Sequence, residues 1–201
     1  MDYLWKSGGR MIAGITASIP PSGGGPTDTG WLFVTVGAQS AGGGDKSWSV
    51  LTLPNITADD TSYAECSNLD EEDVTYELQG TMGTNLFAIP SGATIDGIEV
   101  EYGGYASSNS QVNEDQQRLI IGGIVDGYID GSGVLTTTTT ATYTVGGPTN
   151  LWGLVQDTDF TVTQLHALDF GVALQWEQEY REGDNRIVYI DYYKIKIHYT
   201  T

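Results

Sequence analysis

Residues 89–102 (IPSGATIDGIEVEY) constrain the fold more than any other stretch. Pro90, Ser91 and Gly92 supply turn chemistry, a fixed φ at proline followed by residues that tolerate unusual backbone angles. After the turn the pattern has period two. Ile98, Val100 and Tyr102 point one way, and Glu99 and Glu101 the other. That is the signature of a half-buried antiparallel strand, because successive side chains leave a strand on opposite faces. A strand of this kind needs neighbours on both edges and an apolar layer beneath it, so the rest of the chain is read as what supplies them.

Several other stretches fit the same plan. Residues 48–53, 62–66, 74–82 and 85–89 read as short strands, with the Pro54-Asn55 pair closing the first of them. Residues 107–117 are polar and lack apolar periodicity, so a long loop is expected there. Residues 118–125 (RLIIGGIV) are almost wholly apolar, as in a strand covered on both faces. Residues 126–133 read as a turn. Residues 134–145 (VLTTTTTATYTV) read as a β-branched strand with one wet face. The one expected helical turn begins at Thr161, which caps it, with Gln164 completing a capping box. Residues 170–176 alternate, residues 177–185 form a charged hairpin loop, and residues 186–200 form the last strand. In that strand Tyr193, Ile195, Ile197 and Tyr199 face inward, Lys194, Lys196 and His198 face water, and a bulge is expected near Tyr192. About nine strands punctuated by Gly, Pro, Asn and Asp, with almost no helix, predict an all-β antiparallel sandwich of jelly-roll or Greek-key type.

The first 45 residues differ in kind. Gly8-Gly9, Pro20-Pro21, residues 23–25 and residues 42–44 interrupt two apolar patches, residues 11–19 and residues 31–36 (WLFVTV). Such a segment cannot bury enough surface by itself to offset its ordering entropy, yet Trp5, Trp31 and Phe33 are costly to leave in water. The expected organisation is an extended Gly-rich arm over residues 1–45 and a sandwich over residues 46–201. The arm orders on a partner, a neighbouring subunit or the flank of its own domain, with Trp5, Met11, Ile12, Trp31 and Phe33 as its contact residues. The competing reading is a disordered leader, with WLFVTV the first strand of the domain.

The charge excludes some functions. Eight basic against 26 acidic residues give a net charge of −18, which repels nucleic-acid phosphates and anionic lipid. No apolar run approaches the ~20 residues of a membrane span. Cys66 is the single cysteine, so neither an intrachain disulfide nor a cysteine metal cluster is expected, and alternation around it suits a buried thiol. The two histidines, His166 and His198, lie in unrelated contexts with no partner at metal-ligand spacing. The acidic pairs at Asp59-Asp60 and residues 70–73 invite calcium, but neither these nor residues 126–131 follow a known loop spacing, and solvated loops are the simpler reading. Glu99 and Glu101 share a face near Tyr102 and Tyr105. That arrangement is compatible with sugar binding, while glycoside hydrolysis would need two acids held across a cleft. No catalytic residue, cofactor or metal is assigned.

Three segments carry a resemblance: residues 48–64 (WSVLTLPNITADDTSYA), residues 89–100 (IPSGATIDGIEV), and residues 147–153 (GPTNLWG) followed by Phe170, Gly171 and Val172. With the closing IKIHYT strand they resemble a β-sandwich module of structural proteins in tailed bacteriophages and prophage-like bacterial genes. The resemblance spans residues 46–201 and implies a non-enzymatic virion protein, with Leu151, Trp152 and Gly153 as packing residues. The expectation drawn from it is a capsid decoration or cement protein, made in the host cytoplasm and bound to the capsid exterior. It would be a homo-oligomer, a trimer in the favoured form, whose partner is the major capsid protein or another virion protein. Neither nucleic acid nor membrane is an expected partner. The alternative is a tail-tip or fibre adhesin that binds host surface glycans.

Overall fold

The computed structural model describes residues 25–84, 86–107, 112–130, 133–135, 139–179 and 185–201. Among these are β1 (Thr27–Asp28), β2 (Leu32–Phe33), β3 (Val36–Ser40), β4 (Ala64–Leu69), β5 (Glu77–Thr81), β6 (Thr94–Ala106), β7 (Val112–Ile121), β8 (Ile124–Asp130), β9 (Ala141–Gly146), β10 (Gly171–Gln178) and β11 (Arg186–Thr200). A 3-10 turn covers Leu53–Ile56, and α1 covers Val162–Leu165.

The strands form two antiparallel sheets. The first has the order β4-β11-β6-β9, with β1 and β2 also paired to β11, and the second has the order β3-β5-β10-β7-β8. From β4 onward the chain changes sheet at every connection except the β7–β8 hairpin. Two four-stranded sheets in the orders β4-β11-β6-β9 and β5-β10-β7-β8 are a jelly roll, two interleaved Greek keys. β6, the strand read first from the sequence, pairs with β11 along nearly its whole length and with β9 on its other edge. Ile98, Val100 and Tyr102 are fully buried, as the alternation requires.

The core between the sheets is aromatic at its centre. Trp48 and Trp176 meet edge to face at 5.5 Å, and Tyr102 packs edge-on to Trp176 at 5.6 Å and to Tyr193 at 6.3 Å. Trp152 is fully buried and its indole N–H donates to the Ile98 carbonyl at 2.9 Å, tying the LWG turn to β6. The backbone of Trp152 lies at φ +60°, a region bulky side chains rarely adopt, and that buried bond helps hold it there. The capping box at Thr161 and Gln164 forms as the sequence predicts, and β11 is bulged between Ile190 and Tyr192.

Several expectations are corrected. The boundary at residue 45 does not separate arm from domain, because β1 and β2 extend the first sheet and β3 is an edge strand of the second. Residues 48–53 are not a strand. Trp48 is buried, but the Thr52 hydroxyl bonds back to the Ser49 carbonyl, and Pro54 then starts the 3-10 turn. Residues 86–89 join no ladder, and Phe87 is buried by side-chain packing on Phe170. The polar residues 113–117 belong to β7, with Glu114 and Gln117 buried. The apolar run at 118–125 is a hairpin. Gly122 and Gly123, at φ +59° and +74°, form the two-residue turn that glycine pairs favour, and β8 continues through the expected turn to Asp130. β9 begins only at Ala141. Residues 170–176 do not show a wet and a dry face, since β10 is buried on both. The segment after β10 crosses from one sheet to the other and is no hairpin.

Candidate functional site

The outward face of the first sheet collects most of the side chains that the sequence singles out. On β11, Lys194, Lys196 and His198 point away from the core, and β6 sets Glu101 and Glu99 opposite Lys194 and Lys196. Lys196 pairs with Glu99 at 2.7 Å, His198 with the same carboxylate at 3.0 Å, and Lys194 with Glu101 at 3.1 Å. The Tyr192 hydroxyl donates to Glu101 at 3.2 Å. Burial pushes the Glu99 carboxyl up, but the hydrogen bonds from Lys196 and His198 outweigh it, and the group titrates below its ordinary value. Glu99 and Glu101 are thus members of a cross-strand ion-pair ladder, each already engaged by cations.

Trp31 and Phe33 lie on this ladder. The register of β2 on β11 sets Phe33 opposite Lys194, and alternation turns Leu32 inward. The Lys194 ammonium sits 4.8 Å from the Phe33 ring and 4.2 Å from the Tyr192 ring, and that of Lys196 sits 4.3 Å from the Trp31 ring. These are cation–π contacts within the chain itself. Of the three places expected for the arm to order, Trp31 and Phe33 take the flank of their own domain, where both cover β11. Trp5, Met11 and Ile12 fall outside the described residues.

At the end of the same face stand three half-exposed tyrosines. Tyr105 and Tyr189, directly opposed across β6 and β11, stack at 4.6 Å. Tyr63 meets Tyr105 at 5.3 Å and Tyr189 at 5.9 Å, edge to face in both cases, and its hydroxyl pairs with Thr140. Burial, helped by nearby Glu65, raises the phenol pKa of Tyr105 and Tyr189. The alternation marked Tyr105, but Tyr63 enters the cluster from the position just before β4, a contact that no local pattern reveals.

The remaining candidates resolve into structural roles. Cys66 is fully buried, and burial pushes its thiol up to about 12. His166 ends α1. Among the described residues, no group of three or more His, Cys, Asp or Glu side chains is placed to hold a metal ion. Asp191, within the β11 bulge, is 1% exposed and accepts the N–H of Thr61 at 3.1 Å and of Asp60 at 3.4 Å. It pins the acidic loop to the sheet, so Asp60 is part of a loop clamp.

The outward face of the second sheet went unnoticed in the sequence. It carries Glu77, Gln79, Gln116 and Arg118, drawn from β5 and β7. Arg118 contacts Glu77 at 3.5 Å and hydrogen-bonds Gln116. The sequence reading placed Glu77 and Gln79 in the strand at 74–82, Gln116 in a loop and Arg118 in an apolar strand, so nothing local marked them as one surface.

No family model matches the chain, and no curated protein matches it. Among solved structures, one described as "CBM4 structure and function" aligns at a TM-score of 0.40 and 14% identity, covering 83% of this chain and 93% of that one.

Proposed function

We propose that this chain is a non-enzymatic structural protein of a tailed-bacteriophage virion, a decoration or cement protein on the capsid exterior. The observation that carries the reading is an apolar rim at one end of the jelly roll. Val36 (49% exposed) and Ile124 (69%) begin β3 and β8, and Leu86 (52%) and Leu168 (60%) lie in the connections after β5 and before β10, which the Gly83 N–H joins by donating to the Leu168 carbonyl at 2.8 Å. Aliphatic side chains gathered at one end of so acidic a chain suit a contact surface that becomes buried on assembly. The segment before Gly25 adds a second element. It carries Lys6 and Arg10 against Asp2, opposite in sign to the chain's net charge of −18, and it contains Trp5, Met11 and Ile12. It is attracted to an acidic neighbour and brings apolar area to bury there at roughly 25 cal/mol per Å². In this reading the partners are the major capsid protein and further copies of the chain, arranged as a trimer about a symmetry axis.

The test is co-sedimentation of the full chain with capsids freed of accessory proteins. Wild type is expected to saturate at a symmetric stoichiometry, and the pair Ile124→Asp and Leu168→Asp to lose binding while keeping the native circular dichroism spectrum. Equal binding by the double variant would remove the rim from the account.

A second reading, a tail-tip or fibre adhesin for host glycans, draws support from the cluster of Tyr63, Tyr105 and Tyr189 on the first sheet, since tyrosine rings offer apolar faces with polar tips.

A further inference from the structure

The outward face of the second sheet holds a polar array that packing does not demand. The register aligns Ala38, Gln79, Ala173 and Arg118 across four strands, with Ser40 and Glu77 opposed two residues further along. The long side chains beside the alanines reach across them and cover Ala173, which is 1% exposed. The Arg118 guanidinium contacts the Glu77 carboxylate at 3.5 Å and hydrogen-bonds Gln116. Gln79 donates to the other oxygen of Glu77 at 3.2 Å. Gln175, on the same face of β10, is 1% exposed. Its amide nitrogen donates to the Thr75 carbonyl at 3.0 Å, while its amide oxygen meets no donor among the described residues. A buried acceptor without a donor is uncommon in a native structure. Beside Arg118 opens a cavity of about 410 Å³ whose walls include Val125, Leu154 and the ring of Tyr128, itself 50% exposed.

We infer that this face binds a neutral saccharide. The half-buried Arg118, Gln79 and Gln116 present a guanidinium and planar amides side by side, the donors and acceptors that vicinal hydroxyls require, while the buried Glu77 holds the guanidinium in place. The two contacts of Arg118 do not exhaust its five N–H donors. Tyr128, Val125 and Leu154 present apolar surface to the C–H face of a sugar ring, and Tyr128 supplies an aromatic plane. The cavity volume falls within the range of small-ligand sites, roughly 300–1,000 Å³. Charge selects neutral over acidic sugars: Glu77 offsets Arg118, Asp126 also lines the cavity, and the chain carries −18 overall. The saccharide site is independent of where on a virion the protein sits.

The experiment is calorimetric titration of the full chain with a panel of neutral gluco-, manno-, galacto- and xylo-oligosaccharides, with an oligouronide as the charged control. At least one neutral member binds. Arg118→Gln and Tyr128→Ala each weaken binding about tenfold or more, which is about 1.4 kcal/mol, with unchanged melting temperature for the half-exposed Tyr128 variant. Leu51→Ala, at a 92% exposed position outside both this face and the tyrosine cluster, leaves the affinity as it was, and Tyr189→Ala reports on the cluster of the opposite sheet. In two-dimensional NMR the Gln175 side-chain amide shifts on addition of the sugar. The inference is overturned if no panel member binds, if both variants bind as tightly as wild type, if the loss follows Tyr189→Ala instead, or if only the oligouronide binds.

Discussion

Asp191 shows how a single buried group sets local order. Its carboxylate accepts two backbone N–H groups from the loop carrying Asp59 and Asp60. Burial raises its pKa, and the neighbouring acids Asp59 and Asp60 add to that against the opposing hydrogen bonds. A raised folded-state value means that the contribution to stability is full below the unfolded pKa, about 3.9, and is lost as pH rises through the folded value. Asp191→Asn is therefore expected to match wild type at pH 3 and to melt higher at pH 7, while Asp191→Ala, which orphans both N–H groups, costs about 1–3 kcal/mol at either pH. Thermal melts at the two pH values check both. Cys66 gives a simpler test. With its thiol buried and pushed up to about 12, it should resist iodoacetamide at pH 8 in the folded protein and react fully in guanidinium. Rapid native labelling would contradict the buried assignment. Trp152, held at positive φ by core packing and by its bond to Ile98, is expected to lose about 3–5 kcal/mol on replacement by Ala, measured by chemical denaturation.

Among the elements, the β6–β11 pair organises the first sheet, and its outer ladder sets the acid limb of stability. The lowered pKa of Glu99 means that its contribution is present above the unfolded value, about 4.3, and disappears as pH falls through the folded one. Glu99→Gln should thus melt lower than wild type at pH 7 and converge with it near pH 2. The β7–β8 hairpin rests on Gly122 and Gly123, so Gly122→Val at φ +59° should cost about 1–2 kcal/mol and Gly122→Asn much less, again by denaturation. How far these elements were legible depended on how many faces each strand shows to water. β6 and β11 each keep one wet face, and their alternation gave both the inward set and the Tyr192 bulge. β10 has no wet face, so its apparent alternation placed Ala173 and Gln175 outside although both are covered. β7 was missed over residues 112–117 because its inward positions there include Glu114 and Gln117, polar groups buried by tertiary contacts. Tyr102 donates to the Glu114 carboxylate, and no local pattern predicts such a pair. The turn at Gly122-Gly123 was legible in principle, but the apolar residues on both sides concealed it.

At the scale of the whole molecule, the jelly roll accounts for where the N-terminal strands go. β11 is long, β6 covers one of its edges, and β4, β2 and β1 share the other in turn. An uncovered edge would be a template for pairing with other chains, and this arrangement closes it. The sandwich class followed from strand spacing, but the division at residue 45 did not. Gly42, Gly43 and Gly44, read as linker, are a turn packed against β5, and a side chain at Gly42 would collide with Glu77. Removal of residues 1–24 is expected to leave the melting temperature of the sandwich within a few degrees, whereas removal through residue 40 strips β1, β2 and β3 and should abolish cooperative melting. The proposed place on the outside of a phage capsid is tested by cryo-electron microscopy of the virion. The account predicts jelly-roll density at symmetry-related positions on the shell, with the rim of Val36, Leu86, Ile124 and Leu168 against the major capsid protein. Density for this fold confined to the tail, or a shell without it, would contradict the account.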